Sequence, residues 1–204
     1  MSWLKRRAQK ELTKKKIFEA SLSLFIEKGY ENVSIEQIVA SLGLTKGAFY
    51  HHFVSKDAII IEFYHTIIQE LTEELLFKVR DLREQESLII LESIFHQISL
   101  FCVGKFKFLK ILLSPSVNSK AALEDVFINE ISIVLFNILQ IGESREEYQL
   151  YRPSKDSARY MAALLFYEVR YLCMSEEIQH DKKSISRSLE DILQVVSNGL
   201  FITK

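Results

Sequence analysis

Proline is almost absent from this chain, with two in 204 residues, and glycine occurs only six times. So few breakers, with few strand signals, exclude a turn-rich all-β fold and favour long helices. The two cysteines, Cys102 and Cys173, are too few for a disulfide framework. Both lie among apolar residues and read as buried thiols of a reducing cytoplasm. No apolar run reads as membrane-spanning, because Glu168 and Arg170 interrupt the longest candidate near the C-terminus. Basic residues open the chain without an apolar segment behind them, so no secretory signal is expected. There is no P-loop, dinucleotide fingerprint, nucleophile elbow or internal repeat. A cytoplasmic, all-α protein is expected, not an enzyme, with no cofactor, no metal and no membrane partner.

About half of the residues are apolar, which is enough for a substantial core. The net charge of −1 conceals an asymmetry. Residues 1–56 hold ten Lys or Arg against five Glu, a net of +5; residues 57–204 hold sixteen against twenty-two acidic residues, a net of −6. A basic head on an acidic body suits a polyanion bound at one end only. Lys5, Arg6, Arg7, Lys10 and Lys14–Lys16 reinforce this. They are either a solvated start or an arm that tracks phosphates or enters a minor groove.

Residues 34–56 carry the most information. Ser34 with Gln37 three residues on has the form of a capping box. Ile35, Ile38, Val39 and Leu42 then share one helical face, and Gly43 stands where a helix end takes up a left-handed backbone. Thr45 can cap the next helix, in which Phe49 and Phe53 face inward. Lys46, Gly47, Tyr50, His51 and His52 are left outward. On spacing alone this is an ordinary helical hairpin or a helix-turn-helix. In the second case Lys46 can donate to guanine, Gly47 and Ala48 let the backbone approach closely, and Tyr50 and His52 can donate to phosphates. Ser55-Lys56-Asp57 opens a further helix whose start, with Lys56, suits a phosphate.

The stretch from about Thr13 to Tyr64 resembles the DNA-binding domain of the TetR family of bacterial regulators. The matching pieces are Ala20-x-x-Leu-Phe25 with Lys28-Gly29-Tyr30, then Ser34-Ile-x-x-Ile38-Val-x-x-Leu42-Gly-Leu-x-Lys-Gly-Ala-Phe-Tyr-x-His-Phe53, then Ser55-Lys56-Asp57. The resemblance implies base or groove contacts at Lys46, Gly47, Tyr50 and His51. It implies phosphate contacts at Ser34, Thr45, Tyr50, His52 and Lys56. His51 departs from the family, which often carries an aromatic there. The implied architecture is a three-helix head over 1–56 and a helical effector-binding and dimerisation body over 57–204.

Periodicity places about nine helices. The first runs from about Thr13 to Lys28, and the fourth from Lys56 to about Arg80. Ser87–Val103 and Lys105–Leu113 are separated by Gly104. Lys120–Ile141, a polar loop over 143–153, Ser154 to about Met174, and Ser184–Ile202 follow. The last two helices are apolar on several sides, and the resemblance implies that they pair with a second copy. Tyr160, Leu164, Tyr167, Tyr171, Ile192, Val196 and Leu200 are the interface candidates. A two-fold dimer is also favoured by DNA geometry, since it reads two half-sites. Fourteen Phe residues either fill a core or line a cavity for an apolar or aromatic effector, with His65, His96, Gln97 and Phe101 as candidate ligand contacts. The implied protein is a DNA-binding regulator, a repressor released from a palindromic operator by that effector.

Two rivals remain open at this level. Glu62-x-x-His65 and Glu177-x-x-His180, with Glu92 and Glu130, could supply a di-metal helical bundle. Alternatively the chain is a dimeric interaction module without DNA binding, which the outward Lys46, Tyr50, His52 and Lys56 argue against.

Overall fold

A computed structural model describes residues 2–114, 117, 120–175 and 182–202; at 2, 182, 183, 186, 197 and 199–202 it describes the backbone alone. Among the described residues eight helices form: α1 (Ser2–Lys28), α2 (Ile35–Ser41), α3 (Lys46–His52), α4 (Lys56–Asp81), α5 (Ser87–Leu112), α6 (Lys120–Ser144), α7 (Ser154–Met174) and α8 (Lys182–Leu200). The chain divides into two compact units, one built on residues 1–63 and the other on 64–113 and 120–204. The division falls at Phe63, inside α4, seven residues beyond the boundary expected at Lys56.

In the first unit, Ile17, Phe25, Tyr30, Val33, Ile38, Val39, Phe49, Phe53, Ile59 and Ile60 form the core, each under a tenth exposed. Gly29 ends α1 with φ +83 and donates its N–H to the Phe25 carbonyl at 3.0 Å. Helix α1 starts eleven residues before the expected Thr13. Residues 2–12 have no apolar stripe, so periodicity could not show them as helix. They are rich in Leu, Lys, Arg, Ala, Gln and Glu, all strong helix formers, and they extend a helix already nucleated by the core.

In the second unit α6 packs along α7 and α5 along α8. The expected break at Gly104 is absent, and α5 is one 26-residue helix. A mid-helix glycine costs only about 1 kcal/mol against alanine. The buried run Ser99, Cys102, Leu109 and Leu112 continues past it and outweighs that cost. This is why eight helices stand where nine were expected. By length and composition α5 could also cross a bilayer, so the longest apolar stretch lies here and not in α7. Its packing against α6, α7 and α8 accounts for the apolarity. The expected polar loop after α6 carries a two-residue strand, β1 (Gln149–Leu150), antiparallel to β2 (Phe201–Ile202).

Candidate DNA-binding site

Helix α2 begins at the expected capping box. The Gln37 N–H donates to Ser34 Oγ at 3.2 Å, and the Ser34 N–H donates to Gln37 Oε1 at 2.7 Å. It ends in a left-handed Gly43, φ +64. The Leu44 N–H reaches back to the Val39 carbonyl at 2.9 Å, and the Gly43 N–H to that of Ala40 at 3.2 Å. Both bonds of a Schellman cap are therefore made. Thr45 then caps α3, its Oγ1 accepting from the Ala48 N–H at 3.2 Å. Two tight caps three residues apart fix the angle between the helices. Phe49 and Phe53, 0% and 3% exposed, anchor α3 in the core.

That anchoring leaves Lys46, Gly47, Tyr50 and His51 on the exposed side. Tyr50 is 54% exposed and braced edge-on against Phe49, ring centres 5.6 Å apart. A Cβ at Gly47 would meet nothing closer than Thr45 Oγ1 at 3.7 Å, an ordinary contact. Nothing inside the chain demands glycine there, and its absent side chain lowers the outer surface. The hydroxyls of Ser34 and Thr45 accept cap bonds, and that of Ser34 also donates to the exposed Glu36 carboxylate.

Three of the named residues are engaged in ways the sequence did not suggest. Lys46 forms an ion pair with Glu36 of α2. This holds the Lys46 ammonium above its usual pKa and the Glu36 carboxyl below its own. Both side chains are over half exposed, so the pair is weak and DNA could displace the carboxylate. His52 is half-buried, and its Nδ1 is buried without a hydrogen-bond partner. Burial, then the nearby His51 and Lys10 charges, hold its pKa below the usual histidine value. With Nδ1 buried, a phosphate contact from the ring falls to Nε2.

Lys56 is turned inward. Its Nζ donates to the carbonyls of Tyr30 at 2.7 Å and Val33 at 2.9 Å and lies 4.0 Å from the centre of the Tyr30 ring. Burial lowers its pKa. The expected phosphate ligand is instead a clamp between the α1–α2 turn and the start of α4, with one N–H left over. Tyr30 completes the clamp by donating its hydroxyl to Asp57. Lys14 ties α1 to α4 through Glu62, 2.7 Å away. None of these partners shares a helical period with the other, so no sequence pattern announces them.

The remaining candidates lie in the second unit. Tyr160, Leu164, Tyr167 and Tyr171 are 47–58% exposed along one face of α7, while Met161, Leu165 and Leu172 fill the core from the other. Ile192 is half-buried. Val196 is 2% exposed, so it is spent on the chain's own interior and corrects the expected interface; Val195, 67% exposed, is the outward residue of that turn. The Leu200 side chain lies outside the described residues. His65 and His96 are exposed, which corrects their assignment to an enclosed pocket. Gln97 borders an open surface hollow with Phe77 and Lys78, and Phe101 is half-buried. Glu62 is taken by Lys14, Glu177–His180 lies outside the described residues, and no group of three metal-holding side chains forms among the described residues.

Comparison with known proteins agrees with this geometry. Residues 17–63 match the family described as bacterial regulatory proteins, tetR family. The chain is 34% identical over 79 residues to the HTH-type transcriptional regulator YwcC of Bacillus subtilis, covering 39% of this chain and 34% of that one. It is 51% identical over 41 residues to the transposon Tn10 TetC protein of Escherichia coli, covering 20% and 21%. The chain thus spans about a third or less of the length of these curated relatives. Solved structures extend the likeness of fold. The FadR repressor of Thermus thermophilus, in complex with lauroyl-CoA, superposes with a TM-score of 0.71 at 19% identity, over 94% of this chain and 96% of that one. FadR of Bacillus subtilis, in complex with stearoyl-CoA, gives 0.63 at 16% identity, over 90% and 97%. By sequence, residues 17–63 match the tetR family of bacterial regulatory proteins, and over nearly its whole length the chain shares the fold of a TetR-family repressor, FadR of Thermus thermophilus.

Proposed function

We propose that this chain is a homodimeric transcriptional regulator that binds a palindromic operator and releases it when a small effector binds the body. The observation that carries the reading is the outward face of α3. Lys46, Gly47, Tyr50 and His51 stand together on a short helix fixed by two caps, and no need inside the chain explains Gly47. Lys46 supplies a donor for guanine O6 or N7, and Tyr50, Ser34 and Thr45 supply phosphate donors. One such helix reads too few bases, so a second copy is required. The Tyr160–Tyr171 face of α7 is the surface on which we place it.

Repression follows from the same parts. Helix α4 is continuous from Lys56 to Asp81, so a shift of its body segment moves its first turn, which the Lys56 clamp ties to the head. An effector that binds the two positions of α4 unequally shifts the population between them. Lauroyl-CoA and stearoyl-CoA, found in two structures of this fold, are the first compounds to try, beside apolar and planar ones.

Selection of duplexes from random-sequence DNA tests the reading. A palindromic consensus is expected. Lys46→Ala should lose about 5- to 150-fold in affinity and relax one position of that consensus. Tyr50→Ala should weaken all sequences alike. Failure of the wild-type protein to enrich any sequence would remove the proposal.

A further inference from the structure

The N-terminal turns of α1 project beyond the core they extend. The first buried side chain of the helix is Ile17, and residues 3–12 are all exposed, a length of about 15 Å. The inward stripe of the packed part is Ile17, Ser21 and Phe25. Counted back in helical steps of three and four, the same stripe continues through Lys14, Lys10, Arg7 with Arg6, and Trp3. The face that is apolar inside the head therefore becomes basic where it leaves the core. Lys5, Lys15 and Lys16 lie off that stripe.

Among the described residues, Arg6, Arg7 and Lys10 meet no acidic partner, although Glu11 adjoins them in sequence. Arg7 lies only against the Trp3 ring, 5.7 Å from its centre. No acidic residue occupies the first turn of α1, and cations there oppose the helix dipole. The overhang thus carries unneutralised positive charge on a chosen face, and no packing explains its side chains. That face adjoins the C-terminal end of α3, since the Lys14 ammonium of the same stripe lies 5.4 Å from the centre of the Phe53 ring.

We infer that Arg6, Arg7 and Lys10 form a second DNA-binding surface, a rigid helical arm that lies on the phosphate backbone flanking each half-site. The inference rests on the DNA-binding reading above. The arm adds affinity and on-rate without reading sequence. It lengthens the footprint beyond the bases that α3 can reach. Charge complementarity and continuity with α3 select a DNA backbone as the occupant. Trp3 and Leu4, 66% and 64% exposed, sit at the far tip of the arm.

Two triple variants test it on the operator recovered by selection. Glutamine keeps helix propensity while removing charge. R6Q/R7Q/K10Q should leave the selected consensus unchanged and flatten the dependence of log K on log salt by about 2–3 per bound protomer, at about 0.9 per phosphate lost. K5Q/K15Q/K16Q removes the same charge from the other faces and should change the slope by less than half as much. Trimming flanking base pairs should weaken the wild type and not the first triple. Equal slopes for the two triples, or no change in either, would overturn the arm while leaving the operator contacts of α3 intact. Binding to phosphatidylglycerol vesicles that the first triple abolishes, with an unchanged DNA slope, would give the helix to a lipid surface and likewise overturn it. If the wild type enriches no duplex at all, the underlying DNA reading fails, and its failure is visible before either triple is made.

Discussion

Lys56 distinguishes a structural cation from a DNA ligand, and Lys56→Met separates the two. Methionine keeps the apolar stem and deletes the ammonium, so the carbonyls of Tyr30 and Val33 lose their donor. A hydrogen bond from a charged donor contributes about 1.5–3 kcal/mol. The stacking on Tyr30 at 4.0 Å adds about 0.5–1 kcal/mol at a partly exposed site. Against this stands the release of the ammonium from the burial that lowers its pKa. That release offsets much of the gross interaction, and a net loss of about 2 kcal/mol is expected. If all 204 residues unfold as one cooperative unit, that corresponds to a fall of about 4–8 °C in Tm. Thermal unfolding followed by circular dichroism measures it, and the salt dependence of operator binding supplies the second readout. A stability within about 0.5 kcal/mol of wild type, together with a salt slope lower by about 0.9, would refute the clamp and restore Lys56 as a phosphate contact.

Glu36→Gln should tighten operator binding, because it frees Lys46 from its ion pair and removes an anion from the DNA-facing surface; equal affinity at low salt would show the pair to be irrelevant. Gly142→Ala and Gly104→Ala should act in opposite directions. A Cβ at 142 falls within 2.4 Å of Ser87 Oγ and Tyr148 and should cost about 1–3 kcal/mol. A Cβ at 104 meets open space in mid-helix and should stabilise by about 1 kcal/mol, so chemical denaturation that shows no difference between the two would count against this packing. Burial alone would raise the Glu147 pKa, but hydrogen bonds from Ser87 and the Arg145 charge outweigh it and hold the pKa low. A carboxyl depressed in the fold contributes stability above its unfolded pKa, about 4.3, and loses it as pH falls through the folded value. Glu147→Gln should therefore narrow the gap between stability at pH 6 and at pH 3, and an unchanged gap would exclude the linkage.

The head was legible because its signals are local. A capping box, a left-handed Gly43 and paired inward Phe49 and Phe53 are each set by neighbours within four residues, and the structure places them where the spacing does. Helix α7 was legible for the same reason, with Tyr160, Leu164, Tyr167 and Tyr171 on one stripe and Met161, Leu165 and Leu172 on another. The body pocket was not, since His65 and His96 become exposed or enclosed only through the packing of separate helices. Gly104 misled because a breaker's local cost is small beside the burial that carries α5 through it.

The sequence by itself determined an all-helical chain, a helix-turn-helix between Ser34 and Lys56, and a basic head on an acidic body. Periodicity, caps and charge are written into consecutive residues. Only the tertiary structure decided that Lys56 faces the carbonyls of Tyr30 and Val33, that Glu36 holds Lys46, that Val196 is buried while Val195 is not, and that the basic residues before Ile17 stand on an overhanging helix. These depend on which side chains far apart in the chain arrive at the same place. A buried carbonyl or an unpaired charge has no sequence signature until its neighbours are known.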